Sequence, residues 1–188
     1  MLNWFGKKNA SSTVSTDMIS KQRRYETLVR ALHGDLYRYA YWLSHDASVA
    51  EDLVQETFLR AWKALDSLKD DKAAKAWLIT ILRRENARRF ERKQFDLTDI
   101  EQCQVADNDS LSHEQMADHQ VLRRQMAMLS PEYREPLILQ VMYGFSGDEI
   151  AEILELNRNT VMTRLFRARN QLRDALSPNQ TSRGHSNG

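Results

Sequence analysis

Apolar residues recur at intervals of three and four along most of the chain. Tyr25, Leu28, Val29 and Leu32, then Leu36, Tyr39 and Leu43, keep this spacing, which marks one face of a helix turned toward a core. Ser48 followed by Glu51 has the form of a capping box. In that pattern a hydroxyl and a carboxylate satisfy the amides left open at a helix start, so a helix is expected to begin there. Along it Val49, Leu53, Phe58 and Trp62 line a core side, while Asp52, Gln55 and Glu56 gather on another by i, i+3, i+4 spacing. A polar connection over residues 65–72 leads to a further helix with Trp77, Leu78, Ile81 and Leu82. That helix then turns basic, with Arg83, Arg84, Arg88, Arg89, Arg92 and Lys93 set against Glu85 and Glu91.

The second half carries sharper boundary signals. Ser130-Pro131 reads as an N-cap with proline at the first helical position, and Gly144 as a helix stop. Pro136 is expected either to kink that helix or to begin its regular part, because it has no amide to donate. Phe145 to Ile150 combines a second capping box, Ser146 with Glu149, and a hydrophobic staple, Phe145 with Ile150. The helix begun there runs through Ile153 and Leu154, pauses at Leu156-Asn157-Arg158, and restarts with Asn159 as the expected N-cap. Two short helices about a tight turn, the second one basic, form a helix-turn-helix unit, whose second helix enters the major groove of DNA. Placing Val161, Leu165, Ala168 and Leu172 on a buried stripe leaves Asn159, Thr160, Thr163, Phe166 and Arg167 opposite, flanked by Arg164 and Arg169. Arginine can donate twice to guanine, threonine can bond bases or phosphates, and an exposed phenylalanine can touch a thymine methyl.

Between residues 93 and 123 there is no Lys or Arg, while Asp96, Asp99, Glu101, Asp107, Asp109, Glu114 and Asp118 all occur. This stretch reads as an acidic, flexible linker over 96–119. It separates a domain at 20–95 from one at 120–176, with polar segments 1–19 and 177–188 expected to be disordered. Only 6 Gly and 3 Pro among 188 residues, with 41% hydrophobic and 28% charged, suit an all-α chain of two small helical domains. The formal net charge of +1 hides this uneven placement, and local charge decides whether a phosphate backbone can be engaged. A lone Cys103 can form no internal disulfide, and residues 1–10 do not resemble a signal peptide, so a cytoplasmic protein is expected. No apolar run approaches the roughly 20 residues that span a bilayer, so no membrane insertion is expected.

An enzyme finds little support. His113-Glu114 with His119 sets its histidines six apart, whereas a zinc-protease helix needs them four apart, so no metal site follows. Cys103 has no nearby basic partner to make a thiolate, and neither a Gly-rich phosphate loop nor a nucleophile elbow is present. No catalytic residue, cofactor or small-molecule substrate is expected.

The run from Phe145 to Leu154, FSGDEIAEIL, continued by Asn159 to Arg169, NTVMTRLFRAR, resembles the promoter-recognition helix-turn-helix of the sigma-70 family. Ala50 to Trp62, AEDLVQETFLRAW, is similar to that family's polymerase-binding helix, and Ala76 to Leu82, AWLITIL, continues the match. With no third middle domain, the resemblance is to the extracytoplasmic-function (ECF) group. It implies a sigma-2-like helical bundle and a sigma-4-like domain. Asp52, Gln55, Glu56 and Leu59 would meet basic residues on the clamp helices of the largest subunit of core RNA polymerase. Lys72, Trp77, Arg83, Arg84 and Arg88 would serve the −10 element of promoter DNA, where melted bases are held in pockets and phosphates by arginines. Arg158, Asn159, Thr160, Met162, Thr163, Arg164, Phe166 and Arg167 would serve the −35 element. An inhibitory anti-sigma factor is a further implied partner, and the acidic linker would thread toward the RNA path. Two positions depart from the group's habit: Arg84 stands where Asn is common, and Met162 where Arg is common, so the DNA sequence read here can differ. A conventional helix-turn-helix regulator acting without polymerase is the main rival, and it has no need of the Asp52, Gln55, Glu56 face. An anti-sigma-like interaction module fits less well with so well furnished a recognition helix.

Overall fold

The computed structural model describes residues 8–95 and 113–177, and all its regular structure is helical. The order is α1 (Lys8–Ser44), α2 (Ala47–Ala64), two single 3-10 turns (Leu65–Ser67 and Asp71–Ala73), α3 (Ala74–Phe95), α4 (His113–Met128), α5 (Pro131–Tyr143), α6 (Gly147–Leu154) and α7 (Arg158–Leu176). The chain falls into two compact units divided between Val105 and Ala106. This agrees with the expected all-α pair of helical domains. Residues 96–112 of the expected acidic linker, Cys103 among them, and 178–188 of the expected tail lie outside the described residues. Residues 113–119 of that expected linker are helical, since α4 starts at His113.

In the first unit α1, α2 and α3 pack on one another. Leu36, Tyr39 and Ala40 of α1 meet Ala50, Leu53, Val54, Phe58 and Ala61 of α2 and Leu78, Ile79 and Leu82 of α3 in the core, all buried. Each fully buried Leu or Phe adds roughly 1.5–3 kcal/mol relative to an exposed one. Three local expectations need correction. The helix α1 reaches back to Lys8, over much of the segment read as disordered. Ser11, Ser12, Ser15 and Thr16 are only weak helix formers, and no Gly or Pro interrupts residues 8–33, so nothing breaks the helix there. The cap of α2 is Asp46 and not Ser48. His45 turns back with φ 55°, leaving Asp46 extended so that its carboxylate accepts the Val49 N–H at 2.9 Å. Nor is the 65–72 connection simply polar, because Leu65 and Leu68 are buried in a cluster with Leu28 and Ala74, against Tyr25, Leu32 and Trp77.

The second unit is built on Leu137, Ile138 and Leu139 of α5, Ile150 and Ile153 of α6, and Val161, Leu165 and Ala168 of α7, with Met126 and Leu129 closing the core from the α4 side. Ser130 precedes Pro131 as expected, but its carbonyl rather than its side chain serves the first turn, accepting the Tyr133 and Arg134 N–H groups. The helix neither stops nor restarts at Pro136, which is buried inside α5 and has no amide to give the Glu132 carbonyl. Gly144, at φ 72°, ends α5 in the left-handed conformation that favours glycine. Phe145 and Ile150, the expected staple pair, are both buried.

Candidate nucleic-acid interface

The Ser146 capping box forms as expected. Ser146 Oγ accepts the Glu149 N–H at 3.3 Å, and Glu149 Oε2 accepts the Ser146 N–H at 2.8 Å. The Ser146 N–H and then the Ser146 hydroxyl, which also donates to Oε2 at 2.8 Å, hold the Glu149 carboxyl below its ordinary range. The helix α6 ends on Glu155 in a left-handed conformation (φ 55°), with Leu156 N–H returning to the Ala151 carbonyl. The cap that starts α7 is Asn157, not Asn159: its Oδ1 accepts the Thr160 N–H at 3.0 Å. The left-handed residue shortens the turn, so the next side chain able to cap comes two residues earlier than expected, and Asn159 is released to the exposed face.

On α7, Val161, Leu165 and Ala168 are buried and Leu172 is half-buried, which leaves Arg158, Asn159, Met162, Thr163, Phe166 and Arg167 exposed and Thr160 and Arg164 half-buried. Asn159, Thr160, Thr163, Arg164 and Arg167 line an open groove of about 280 Å³ together with Glu132 and Tyr133 from the first turn of α5. Phe166, Met162 and Arg158 are not part of that lining. Phe166 is 63% exposed. Met162 has a second duty. A Cβ added at Gly147 would come within 3.1 Å of its sulfur, so the thioether packs over the start of α6.

Sequence reasoning missed Glu132 and Tyr133. Arg167 donates to the Tyr133 hydroxyl at 3.2 Å, a bond that raises its already high pKa, and Arg164 lies 3.8 Å from Glu132. Arg158 pairs with Asp148 at 2.8 Å and Arg169 donates to Gln140. Each of these guanidinium groups thus lies against a polar group of α5 or α6.

In the first unit, Asp52, Gln55 and Leu59 are exposed on α2, on the side away from its buried residues, with Glu56 half-buried beside them. Leu59 is 57% exposed among these polar groups. Glu56 lies 3.0 Å from Arg60 Nε, and the same nitrogen lies 2.6 Å from Oε1 of Glu85 on α3, without hydrogen-bond alignment. Glu85, 7% exposed, also binds Arg88 at 2.5 Å. An alternating chain, Glu56, Arg60, Glu85, Arg88, therefore joins the acidic face of α2 to the basic face of α3. Trp77, Arg84 and Arg88 fall on one stripe of α3 by helical spacing, whereas Arg83 lies well round the helix and is half-buried. Trp77 is half-buried against the Leu65–Leu68 cluster, and Lys72 is exposed on the second 3-10 turn. The i, i+3 spacing of Glu85 and Arg88 was visible in the sequence; that Arg60 would arrive from another helix was not.

Comparison with known proteins settles the family. The model described as Sigma-70 region 2 matches residues 28–95, and that described as Sigma-70, region 4 matches 119–172. The chain is 34% identical over 154 residues to the ECF RNA polymerase sigma factor SigL of Mycobacterium tuberculosis, covering 78% of this chain and 87% of that one. The chain belongs to the ECF group of the sigma-70 family. It is also similar to SigX of Bacillus subtilis, at 26% identity over 81% of this sigma factor and 83% of its relative. Among solved structures, the sigma factor RpoE in complex with the anti-sigma factor NepR from Bartonella quintana superposes with TM-score 0.69. There the identity is 31%, over 82% of this sigma factor and 97% of RpoE. Members of this family are non-catalytic regulatory proteins that act in transcription initiation.

Proposed function

We propose that this chain binds core RNA polymerase through the Asp52, Gln55, Glu56, Leu59 face of α2 and directs it to promoters read by α3 and α7. The observation that carries the reading is the exposed face of α7, where five side chains of suitable chemistry line one groove, with Arg167 bonded to Tyr133 and Arg164 3.8 Å from Glu132. In this reading Arg158, Asn159, Thr160, Met162, Thr163, Arg164, Phe166 and Arg167 serve the −35 element. Lys72, Arg84 and Arg88 serve the −10 element, with Arg83 contributing charge from the side and Trp77 acting mainly as the floor of the region. The carboxylates of α2 complement basic residues on the clamp helices of the largest polymerase subunit. The working domains are 20–95 and 120–176, and phosphodiester chemistry belongs to polymerase, so this chain needs no substrate or cofactor of its own. Its place of work is the cytoplasm, with the transcription machinery; no described helix is long and apolar enough to cross a membrane. An anti-sigma factor is the expected regulator, supported by the RpoE–NepR complex.

The test is run-off transcription from a promoter library with core polymerase, with and without the protein. Transcripts that start only upon its addition support the reading, and their aligned starts give the −35 and −10 elements. Asp52→Arg combined with Glu56→Arg is expected to abolish capture of core polymerase in a pull-down while leaving helicity intact, since both side chains are at least partly exposed. Undiminished capture would remove α2 from the interface and favour a regulator acting without polymerase.

A further inference from the structure

The connection between α2 and α3 takes its shape from α1. Leu65 and Leu68 are sunk in the apolar cluster, and residues 69–73 stand exposed between them and α3. Arg24 of α1 fastens this stretch. Its Nη2 donates to the Leu68 carbonyl at 2.6 Å and to Asp71 Oδ1 at 2.6 Å, and its Nε donates to the same carboxylate oxygen at 2.9 Å. Asp70 in turn accepts the Lys72 N–H at 2.9 Å, which starts the second 3-10 turn. Lys21 pairs with Asp66 nearby, but Asp66 is 79% exposed and such pairs contribute little. Asp71 is itself 67% exposed, so Arg24 stands apart not by its charge pair but by its second acceptor, the Leu68 carbonyl. One planar fork grips a backbone carbonyl and a carboxylate three residues apart, so it constrains the path of the chain as well as its charge.

We propose that Arg24 is a positioning residue for −10 recognition: by tying Leu68 and Asp71 to α1 it holds the 68–72 segment in the shape that meets promoter DNA, and so sets how sharply −10 sequences are discriminated. The proposal rests on the reading of this connection as a −10 contact. Without the fork the segment spends less time in the competent shape, and sequence-specific affinity falls in proportion to that fraction. Attraction to phosphates, which is blind to sequence, is left as it was.

Run-off transcription by core polymerase from a library randomised across the −10 element, with the −35 element constant, tests this with full-length wild type, Arg24→Ala, Arg24→Lys and Lys72→Ala. For Arg24→Ala the ratio between the best and worst −10 sequences is expected to shrink about tenfold, as when a segment is competent a tenth of the time. Capture of core polymerase should be unchanged, and Arg24→Lys should fall between. An unchanged ratio, or an equal loss on every promoter, overturns the proposal. If Lys72→Ala alters the profile and Arg24→Ala does not, the connection contacts DNA but Arg24 does not position it. If neither alters it, the −10 reading of the connection fails and the proposal falls with it. Should Arg24→Ala not fold, Asp71→Asn, which leaves the Leu68 bond in place, must show a smaller compression of the same ratio.

Discussion

Glu85→Gln keeps the shape of the side chain but removes a buried negative charge shared by Arg60 and Arg88. Those cations are 40% and 47% exposed, so water compensates part of the loss; a destabilisation of about 1–3 kcal/mol is expected by urea unfolding. A change below about 0.5 kcal/mol would mean the pair is no more than a surface contact. Helix caps give a second comparison between single residues. Asp46→Ala and Asn157→Ala should each cost about 1 kcal/mol, because each removes an acceptor from an open amide. Ser48→Ala and Asn159→Ala should lie near zero in the same assay, and the reverse ranking would restore the caps suggested by local pattern. The local pattern pointed to Ser48 because Glu51 follows three residues on, and to Asn159 because it follows the pause at Leu156-Asn157-Arg158. Neither spacing reports that His45 and Glu155 take left-handed conformations, after which each cap lies two residues earlier.

At the level of elements, α6 and α7 are the best legible in sequence and the most dependent on a third helix for their chemistry. Arg167→Ala is expected to weaken −35 recognition by about 1–3 kcal/mol if it reads a base, measured by transcription from −35 variants; a uniform loss on all variants would make it a phosphate contact. Tyr133→Phe should lower the same discrimination without altering stability greatly, since it removes only the hydroxyl that Arg167 donates to. The start of α6 also titrates. The folded protein holds Glu149 below its ordinary value of 4.5, so its carboxylate is favoured more strongly in the folded than in the unfolded chain. Its contribution is present above about pH 4.5 and is lost as pH falls through the lower folded value. In the first unit burial alone would raise Asp35. Hydrogen bonds and charge from Lys75 and Arg38 outweigh it and hold the carboxyl below 3.8, with the same sign. Glu149→Gln should therefore flatten, without abolishing, the fall in urea midpoint between about pH 6 and pH 3.5.

For the whole molecule, the expectation is two cooperative units and not one. All four tryptophans, Trp4, Trp42, Trp62 and Trp77, precede the second unit, so indole fluorescence follows the first unit alone while far-UV dichroism follows both. Leu165→Ala, which empties a fully buried site in the second unit, is expected to cost about 2–5 kcal/mol there and to shift the dichroism transition but not the fluorescence one. Coincident shifts would mean that the units unfold together. The periodicity of Leu28 to Leu43 and of Val161 to Leu172, the Ser146–Glu149 box, and the charge sorting along α3 were all written locally, because a helix relates residues three and four apart whatever surrounds it. Those local signals were enough for the helical class, the two-part organisation, the family resemblance and the exposed face of α7. What lies between elements came from packing instead: Arg60 on Glu85, Tyr133 bonded to Arg167, Leu65 and Leu68 inside the core, and Arg24 on the connection 44 residues away at Leu68. Such contacts depend on how separate helices are placed against one another, and no local spacing encodes that placement.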